Sequence, residues 1–211
     1  MPQSDVAFQS WRLAEQSASF SYDLLTNLIV PRPIAFVSTV SEAGEPNLAP
    51  FSFFMLGGVE PPSVIFCPVR GQGGRKKVSL QNVEATGEFV VNLVTREMAE
   101  MMNSTAVPSP VESEKWGISG LTPVASSLVR PARVAESPVQ LECRSFQIVE
   151  HGQSSYVIGE VLEAHVATEL WHDGKIARFD PIARLGGSNY MDLDGGKVFE
   201  MQRPVPADDP S

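Results

Sequence analysis

The chain has 211 residues and a mass of 22.9 kDa, which suits one sizeable domain whose core needs no disulfide or metal. Acidic residues outnumber basic ones by 25 to 16, and the formal charge of −9 excludes the positive footprint that non-specific binding to nucleic acid or an anionic membrane requires. The N-terminus lacks the features of a secretory signal, and no apolar run reaches the roughly 18 residues of a membrane span, so we expect a cytoplasmic protein without nucleic-acid or membrane partners.

The first half of the chain predicts strands separated by turn residues. Residues 1–20 are polar with weak periodicity, and we interpret them as an N-terminal extension or arm. Apolar and β-branched residues at 34–40, a turn cluster at 41–46 and a second strand-like run at 47–55 predict a β-hairpin. A third strand is expected at 63–69, after two consecutive prolines.

Helical patterns follow this third strand. A short helix is predicted from Val78 to its stop at Thr86-Gly87, and a strand is predicted at 88–94. Thr95 is the expected N-cap of a second helix that runs through Met102. Residues 106–123, rich in proline and glycine, predict a long loop around Trp116, and such loops often form functional lids or walls.

The second half of the chain predicts strands at 139–149, 155–168 and 176–179, and a small hairpin around 194–196. With antiparallel connections dominant, six to eight strands and two or three short helices predict a mainly β fold. A closed or nearly closed β-barrel is the expected architecture, because closure removes exposed strand edges. We assign this domain to residues 21–200 and interpret 201–211 as a C-terminal tail.

A glycine-rich basic segment occupies residues 70–77. It holds four of the 16 basic residues, interleaved with Gly71, Gly73 and Gly74, and it directly precedes the helix predicted from Val78. Glycines let backbone amides approach a ligand, and a helix start adds partial positive charge, so this segment predicts a phosphate cradle. A solvated basic loop is the alternative. The spacing of a Walker motif is absent.

The first hairpin concentrates hydroxyl, amide and aromatic side chains in one region. These side chains are Ser38, Thr39, Asn47 and Ser52, with Phe51, Phe53 and Phe54 close to them. Antiparallel pairing would bring them together as a patch suited to a flat heteroaromatic ligand. The alternative is that they are cross-strand pairs that only stabilise the sheet.

The residue types that usually carry hydrolytic or metal chemistry show no catalytic spacing. Cys67 and Cys143 lie far apart in apolar runs, so we expect buried free thiols rather than a disulfide or a zinc site. The three histidines form no metal-binding motif, and no dinucleotide fingerprint follows a strand. We therefore assign no catalytic side chain and no metal, and expect a bound cofactor to supply any difficult chemistry.

The motifs of the first hairpin and their order resemble a known family. Residues 31–41, Gly44 and residues 47–54 resemble the opening of the flavin reductase-like, FMN-binding split-barrel proteins, with flavoredoxin and its relatives as the most similar subgroup. Further likeness occurs at Pro61-Pro62, 77–82, 86–92, 138–143, 158–160 and Arg184-Leu-Gly-Gly187 with Tyr190. The resemblance spans roughly residues 22–192.

The resemblance implies an FMN-binding six-stranded split barrel that forms a homodimer, with each flavin near the subunit interface. The residues implied to line the isoalloxazine and ribityl chain are Ser38, Thr39, Asn47, Ala49, Ser52, Phe53 and Phe54. The implied phosphate candidates are Arg32, Arg75, Lys77 and Ser79, and Arg184 and Tyr190 are implied either to contact the flavin or to support its site. The family's usual Lys-Asp-Thr run is Lys77-Val78-Ser79 here, so the hydroxyl is kept and the carboxylate is lost.

The activity implied is that of an NAD(P)H-dependent flavin reductase, in which NADH or NADPH passes hydride to the N5 atom of FMN. His165 and the loop around Trp116 are either walls of the nicotinamide site or ordinary packing residues. A flavoredoxin-like electron-transfer protein, reduced by a protein partner, is the alternative function. An oxygenase or another redox protein is a further expected partner, and a barrel that has lost its flavin is a third hypothesis.

Overall fold

The computed structural model describes residues 7–106, 114–177, 179–193 and 195–202. The α-helices are α1 (Ala18–Leu28), α2 (Val78–Thr86), α3 (Ala99–Ser104) and α4 (Glu114–Ser119). The first eight strands are β1 (Arg32–Pro33), β2 (Ala35–Val40), β3 (Pro46–Phe51), β4 (Phe54–Val59), β5 (Pro62–Phe66), β6 (Glu88–Asn92), β7 (Pro123–Val124) and β8 (Arg133–Val134). The remaining strands are β9 (Val139–His151), β10 (Ser154–Val166), β11 (Trp171–His172), β12 (Lys175–Ile176), β13 (Ile182–Arg184), β14 (Asn189–Asp192) and β15 (Val198–Glu200).

The large sheet has seven antiparallel strands in the order β3-β2-β6-β9-β10-β5-β4. Its two outermost strands, β3 and β4, are joined by only Ser52 and Phe53. In a flat sheet the outer strands would lie about 29 Å apart, whereas this connection spans only about 10 Å. The sheet must therefore curl until its two edges approach each other, which confirms the predicted mainly β, split-barrel fold.

One strand prediction in this region is wrong. Residues 47–55 do not form a single strand, because the chain leaves one edge of the sheet at Phe51 and enters the other edge at Phe54. The large sheet consequently has one strand more than the resemblance implied. The long hairpin of β9 and β10 and the helix α2 are confirmed, and Gly87 ends α2 in the left-handed conformation (φ 71°) as predicted.

Two apolar cores lie on opposite faces of the curled sheet. Val37, Phe66 and Phe89 belong to the core inside the barrel, and Leu80 and Val83 of α2 pack into the same core. Phe36 and Leu48 belong to the second core, which the helices α3 and α4 cover with the buried residues Met98, Ala99, Met102 and Trp116. The alternation of Phe36 and Val37 follows the two-residue period of a strand and separates the two cores.

The region between β6 and β7 differs from its predicted structure. Trp116 lies in helix α4 rather than in an open loop, and only 8% of its surface is exposed because it packs into the second core. Residues 107–113 of the predicted loop lie outside the described residues. Thr95 is not an N-cap: its backbone forms a β-bridge with Pro181, and α3 begins at Ala99 after Met98.

The N-terminal region contains a helix that its composition did not predict, whereas the small hairpin predicted around 194–196 is confirmed by the pairing of β14 with β15. The predicted boundary between an arm and the domain, at residues 20 and 21, falls inside α1. Ser17 caps this helix by accepting a hydrogen bond from the Phe20 amide at 3.1 Å. β1, β13, β14 and β15 form a separate four-stranded sheet, whereas residues 1–6 and 203–211 lie outside the described residues. No helix in the described ranges is long and apolar enough to cross a membrane.

Gly159 of β10 generates a prediction about the barrel core. A Cβ at this position would lie 2.2 Å from Cζ of the fully buried Phe89, so we expect Gly159→Ala to lower the free energy of unfolding by about 1–3 kcal/mol. Urea denaturation measures this loss. Gly117→Ala in α4 is the control, because no atom lies within 4 Å of its added Cβ, and it should cost less than about 0.5 kcal/mol. Equal losses in the two variants would contradict the packing argument.

Candidate functional site

Four polar side chains join the first hairpin to the start of helix α2, and we call them the polar group. Thr39 of β2 lies opposite Asn47 of β3, and both face Ser79 and Asn82 in the first turns of α2. Asn47 Nδ2 donates to Ser79 Oγ at 2.7 Å and to Thr39 Oγ1 at 3.2 Å. Asn82 Nδ2 donates to the same Thr39 oxygen at 3.1 Å.

The polar group is buried, and one of its atoms has no partner. Thr39, Asn47 and Ser79 are each about 1% exposed, and Asn47 Oδ1 has no hydrogen-bond partner in the described parts of the chain. The hairpin predicted from the sequence pairs Thr39 with Asn47, whereas Ser79 was expected only as a phosphate candidate, and the contact of all three with a ligand stays a prediction. Asn82 was missed as a site residue, and its position three residues after Ser79 places both on one face of a helix, a usable signal.

The basic segment 70–77 forms a structured loop, which we call the basic loop. Arg70 donates to Glu150 Oε2 at 3.2 Å, and Lys76 Nζ lies 2.9 Å from Glu150 Oε1 and 2.5 Å from Glu84 Oε1. Hydrogen bonds to the two carboxylates raise the pKa of Lys76, and Lys76 in turn lowers the pKa of Glu150. Arg70 and Lys76 therefore both lie in ion pairs within the protein.

The other two cations, Arg75 and Lys77, are exposed at the start of α2. Lys77 is the N-cap residue and makes no side-chain cap, and the Val78 and Ser79 amides have no acceptor within the helix. Lys77 Nζ lies 3.9 Å from the position a Cβ would take on Gly71, so the amino group lies over the basic loop. These amides and cations together form a positive surface that suits a phosphate.

Gly73 and Gly74 give the basic loop its shape. Their φ angles are 68° and 73°, in the left-handed region that favours glycine, and no atom lies within 4 Å of a Cβ built on either residue. The loop therefore keeps open space above its backbone. A hydrogen bond of 2.9 Å from the Gly71 amide to the Arg75 carbonyl closes it.

Four predicted ligand residues lie in the end of β3, the connection to β4 and the start of β4. Ala49, Ser52, Phe53 and Phe54 are all half-buried, so each keeps surface available to a ligand. The Phe53 ring lies 6.3 Å from that of Tyr22 in α1. Phe54 also lines an apolar cavity of about 350 Å³ between the barrel and the four-stranded sheet.

Three predicted site residues are engaged elsewhere. Ser38 points to the face opposite Thr39, where it donates to the Ala132 carbonyl. Arg32 is 7% exposed and donates to the carbonyls of residues 26, 29 and 185, and burial lowers its pKa. Tyr190 is 3% exposed and accepts from Arg184. The structure does not bring these side chains into the polar group, because local hydrogen bonds already fix their positions.

His165 of β10 lies beside two acid groups, the buried Glu142 and the partly exposed Glu163. Its Nε2 is 2.8 Å from Glu142 Oε1 and 3.7 Å from Glu163 Oε2, a grouping that could hold a cation. Glu142 already accepts hydrogen bonds from the Ser127 and Leu128 amides, and these, with His165, lower its pKa despite burial. The suggestion that His165 and Trp116 border a nicotinamide site stays a prediction.

Both cysteines are buried free thiols, as expected. Burial raises the pKa of Cys67 and of Cys143, and neither thiol belongs to the polar group or the basic loop. The reactive form of a cysteine is its thiolate, which burial of this kind disfavours.

Comparison with known proteins shows the family of this chain. The sequence model of the Flavin reductase like domain matches residues 27–180. The chain belongs to that family. A protein of Halalkalibacterium halodurans is 36% identical over 193 residues, covering 88% of this chain and 91% of that protein.

Solved structures agree with the family and the fold. Nitrilotriacetate monooxygenase component B from Bacillus cereus is 32% identical and covers 93% of this chain and 100% of its own, with a TM-score of 0.86. A split-barrel-domain protein from Shewanella frigidimarina covers 93% of this chain and 98% of its own, with 20% identity and a TM-score of 0.76, and supports the fold alone. The flavin reductase-like assignment and the split barrel expected from the sequence are thus confirmed.

The polar group predicts the effect of removing a single hydroxyl. We expect Thr39→Val to lower the free energy of unfolding by about 1–3 kcal/mol, because one N–H of Asn47 and one N–H of Asn82 lose their buried acceptor. Chemical denaturation measures the loss, with Thr168→Val at an exposed position as the matched control. A Thr39 variant as stable as the control would show that the polar group does not hold α2 to the hairpin.

Proposed function

We propose that this protein binds FMN and catalyses its reduction by NADH or NADPH. The observation that carries the proposal is the exposed start of α2, where Arg75 and Lys77 meet uncapped amides in a flavin reductase-like protein. The residues present fit FMN: the basic loop suits its phosphate, and the half-buried Phe53 and Phe54 suit its ring. When bound, FMN supplies the group that accepts hydride from a nicotinamide.

The phosphate end is proposed to be held by charge and by backbone dipoles. Arg75 and Lys77 supply the charge, and the Val78 and Ser79 amides supply donors at the positive end of α2. Arg32, although predicted from the family resemblance, is left out of this proposal because three backbone carbonyls already accept from its guanidinium.

The ring and ribityl chain are proposed to lie along the β3–β4 connection. Ala49, Ser52, Phe53 and Phe54 would exclude water from the ring, and Asn47 Oδ1 offers an acceptor to a ligand O–H or N–H. The polar group would then orient the ligand as well as anchoring α2. No side-chain acid or base is needed for this contribution, which consists of binding and positioning.

A homodimer is proposed from the apolar surface near this site. In β4, Leu56 is 66% exposed and Val59 is 80% exposed, and Leu28 and Ile29 at the end of α1 are also exposed. Apolar side chains on an edge strand are a liability in a monomer, and a second copy of the chain would cover them. Because the Bacillus cereus protein is named as a monooxygenase component, we further propose an oxygenase as the acceptor of the reduced flavin.

The phosphate assignment predicts a ligand-specific loss. We expect Lys77→Ala to weaken FMN binding by more than about tenfold, because a charge-assisted contact contributes roughly 1.5–3 kcal/mol. Riboflavin, which lacks the phosphate, should bind as it does to the unchanged protein. Flavin titration measures both affinities, with Lys175→Ala on the exposed β11–β12 hairpin as the control. Unchanged FMN affinity would remove Lys77 from the site.

The reductase activity predicts a change in the visible spectrum. After FMN is added and the excess removed, anaerobic NADH or NADPH should bleach the flavin absorbance of the protein, and the faster donor identifies the preferred nicotinamide. Retained flavin that neither donor bleaches would favour the electron-transfer alternative. A protein that retains no flavin and accelerates no reduction of free FMN would contradict the proposal.

A further inference from the structure

The two ends of the basic loop are tied to one carboxylate. Glu150, the penultimate residue of β9, uses Oε2 to accept from Arg70 at 3.2 Å and Oε1 to pair with Lys76 at 2.9 Å. The two oxygens thus hold Arg70 and Lys76, which are six positions apart in the sequence, near the two ends of the loop. A single acidic side chain bridges the entry and the exit of the loop.

Backbone contacts attach the same loop to the β9–β10 turn. The Arg70 amide donates to the Gln153 carbonyl at 2.8 Å, and Val69 forms a β-bridge with Ser154. The Arg70 guanidinium also donates to the Gly74 carbonyl at 3.3 Å. The β9–β10 hairpin therefore holds the loop through backbone hydrogen bonds and through the charged side chain of Glu150.

The exposure of the side chains divides the four cations of the loop into two kinds. The side chains of Arg70 and Lys76 are 22% and 30% exposed and lie against carboxylates, and Lys76 has a second one in Glu84 of α2. Arg75 and Lys77 are exposed on either side of Lys76. An anion at the start of α2 would therefore meet the second kind, while the first kind shapes the loop.

We propose that Glu150 is a positioning residue that holds the basic loop in the shape that receives the flavin phosphate. This inference rests on the proposed function. The proposal makes a counterintuitive prediction. On electrostatic grounds alone, removing the negative charge of Glu150 would reduce its repulsion of the phosphate and tighten phosphate binding. If the ion pairs shape the loop, removing Glu150 weakens phosphate binding instead, because a site that must be ordered on binding loses affinity.

The test compares Glu150→Gln with the unchanged protein by titration with FMN and with riboflavin. We expect FMN affinity to fall by about fivefold to twentyfold and riboflavin affinity to change by less than about twofold. Glu160→Gln, which removes the same charge from an exposed position on β10 of the same hairpin, should leave both affinities unchanged. The ratio of the two affinities separates loop positioning from general loss of structure.

Lys76→Gln removes the other partner of the same ion pair. It tests the positioning proposal independently if Glu150→Gln folds poorly. Its loss of FMN affinity should match that of Glu150→Gln, and the double variant should be no weaker than either single one. Additive losses would mean that Lys76 contacts the phosphate directly, which overturns the division of cations.

The outcomes also separate this inference from the function on which it rests. If the wild-type protein binds FMN no more tightly than riboflavin, both the proposed phosphate site and the proposed role of Glu150 are overturned. If the unchanged protein prefers FMN while Glu150→Gln binds it equally or more tightly, only the positioning proposal fails. An equal weakening of FMN and riboflavin by Glu150→Gln also overturns it, because a change of fold would then explain the loss.

Discussion

The connection from β3 to β4 is the constraint on which the rest of the molecule depends. Ser52 and Phe53 alone must carry the chain between the two edges of a seven-stranded sheet, so the sheet has to curl and enclose a core. The same connection presents Phe53 and Phe54 half-buried beside the first hairpin. Closure of the fold and exposure of aromatic surface for a ligand thus have one cause.

Helix α2 positions the charged end of the site relative to the first hairpin. Its apolar residues Leu80 and Val83 enter the barrel core, while Ser79 and Asn82 bond to the first hairpin. These two sets of contacts fix where the helix starts, and the start of the helix fixes where Lys77 can stand. Buried amide-to-hydroxyl bonds are costly to break, so the separation between the aromatic and cationic parts of the site is held firmly.

Local patterns in the sequence predicted those parts of the fold and site that depend on neighbouring residues. The pairing of Thr39 with Asn47 follows from a hairpin, and α2 ends where glycine permits the left-handed conformation. Local patterns failed for Thr95 and Trp116, where contacts with distant residues override local preference. Thr95 forms a β-bridge with Pro181, and Trp116 is buried in the second core. The resemblance implied phosphate contact for Arg32 and either flavin contact or support of the site for Tyr190, and the three-dimensional structure supplies each with protein partners.

Local sequence patterns could not predict the partners of the basic loop, because Glu150 is distant in the sequence. The net charge of the chain explains why these partners matter. The whole chain carries −9, so its net charge provides no attraction for an anionic cofactor. Screening confines the effect of each exposed charge to about 8 Å at physiological ionic strength, so only cations in near contact with the phosphate can attract it. Affinity for a flavin phosphate must then depend on loop geometry more than on the number of cations, and geometry is what the distant carboxylate of Glu150 controls.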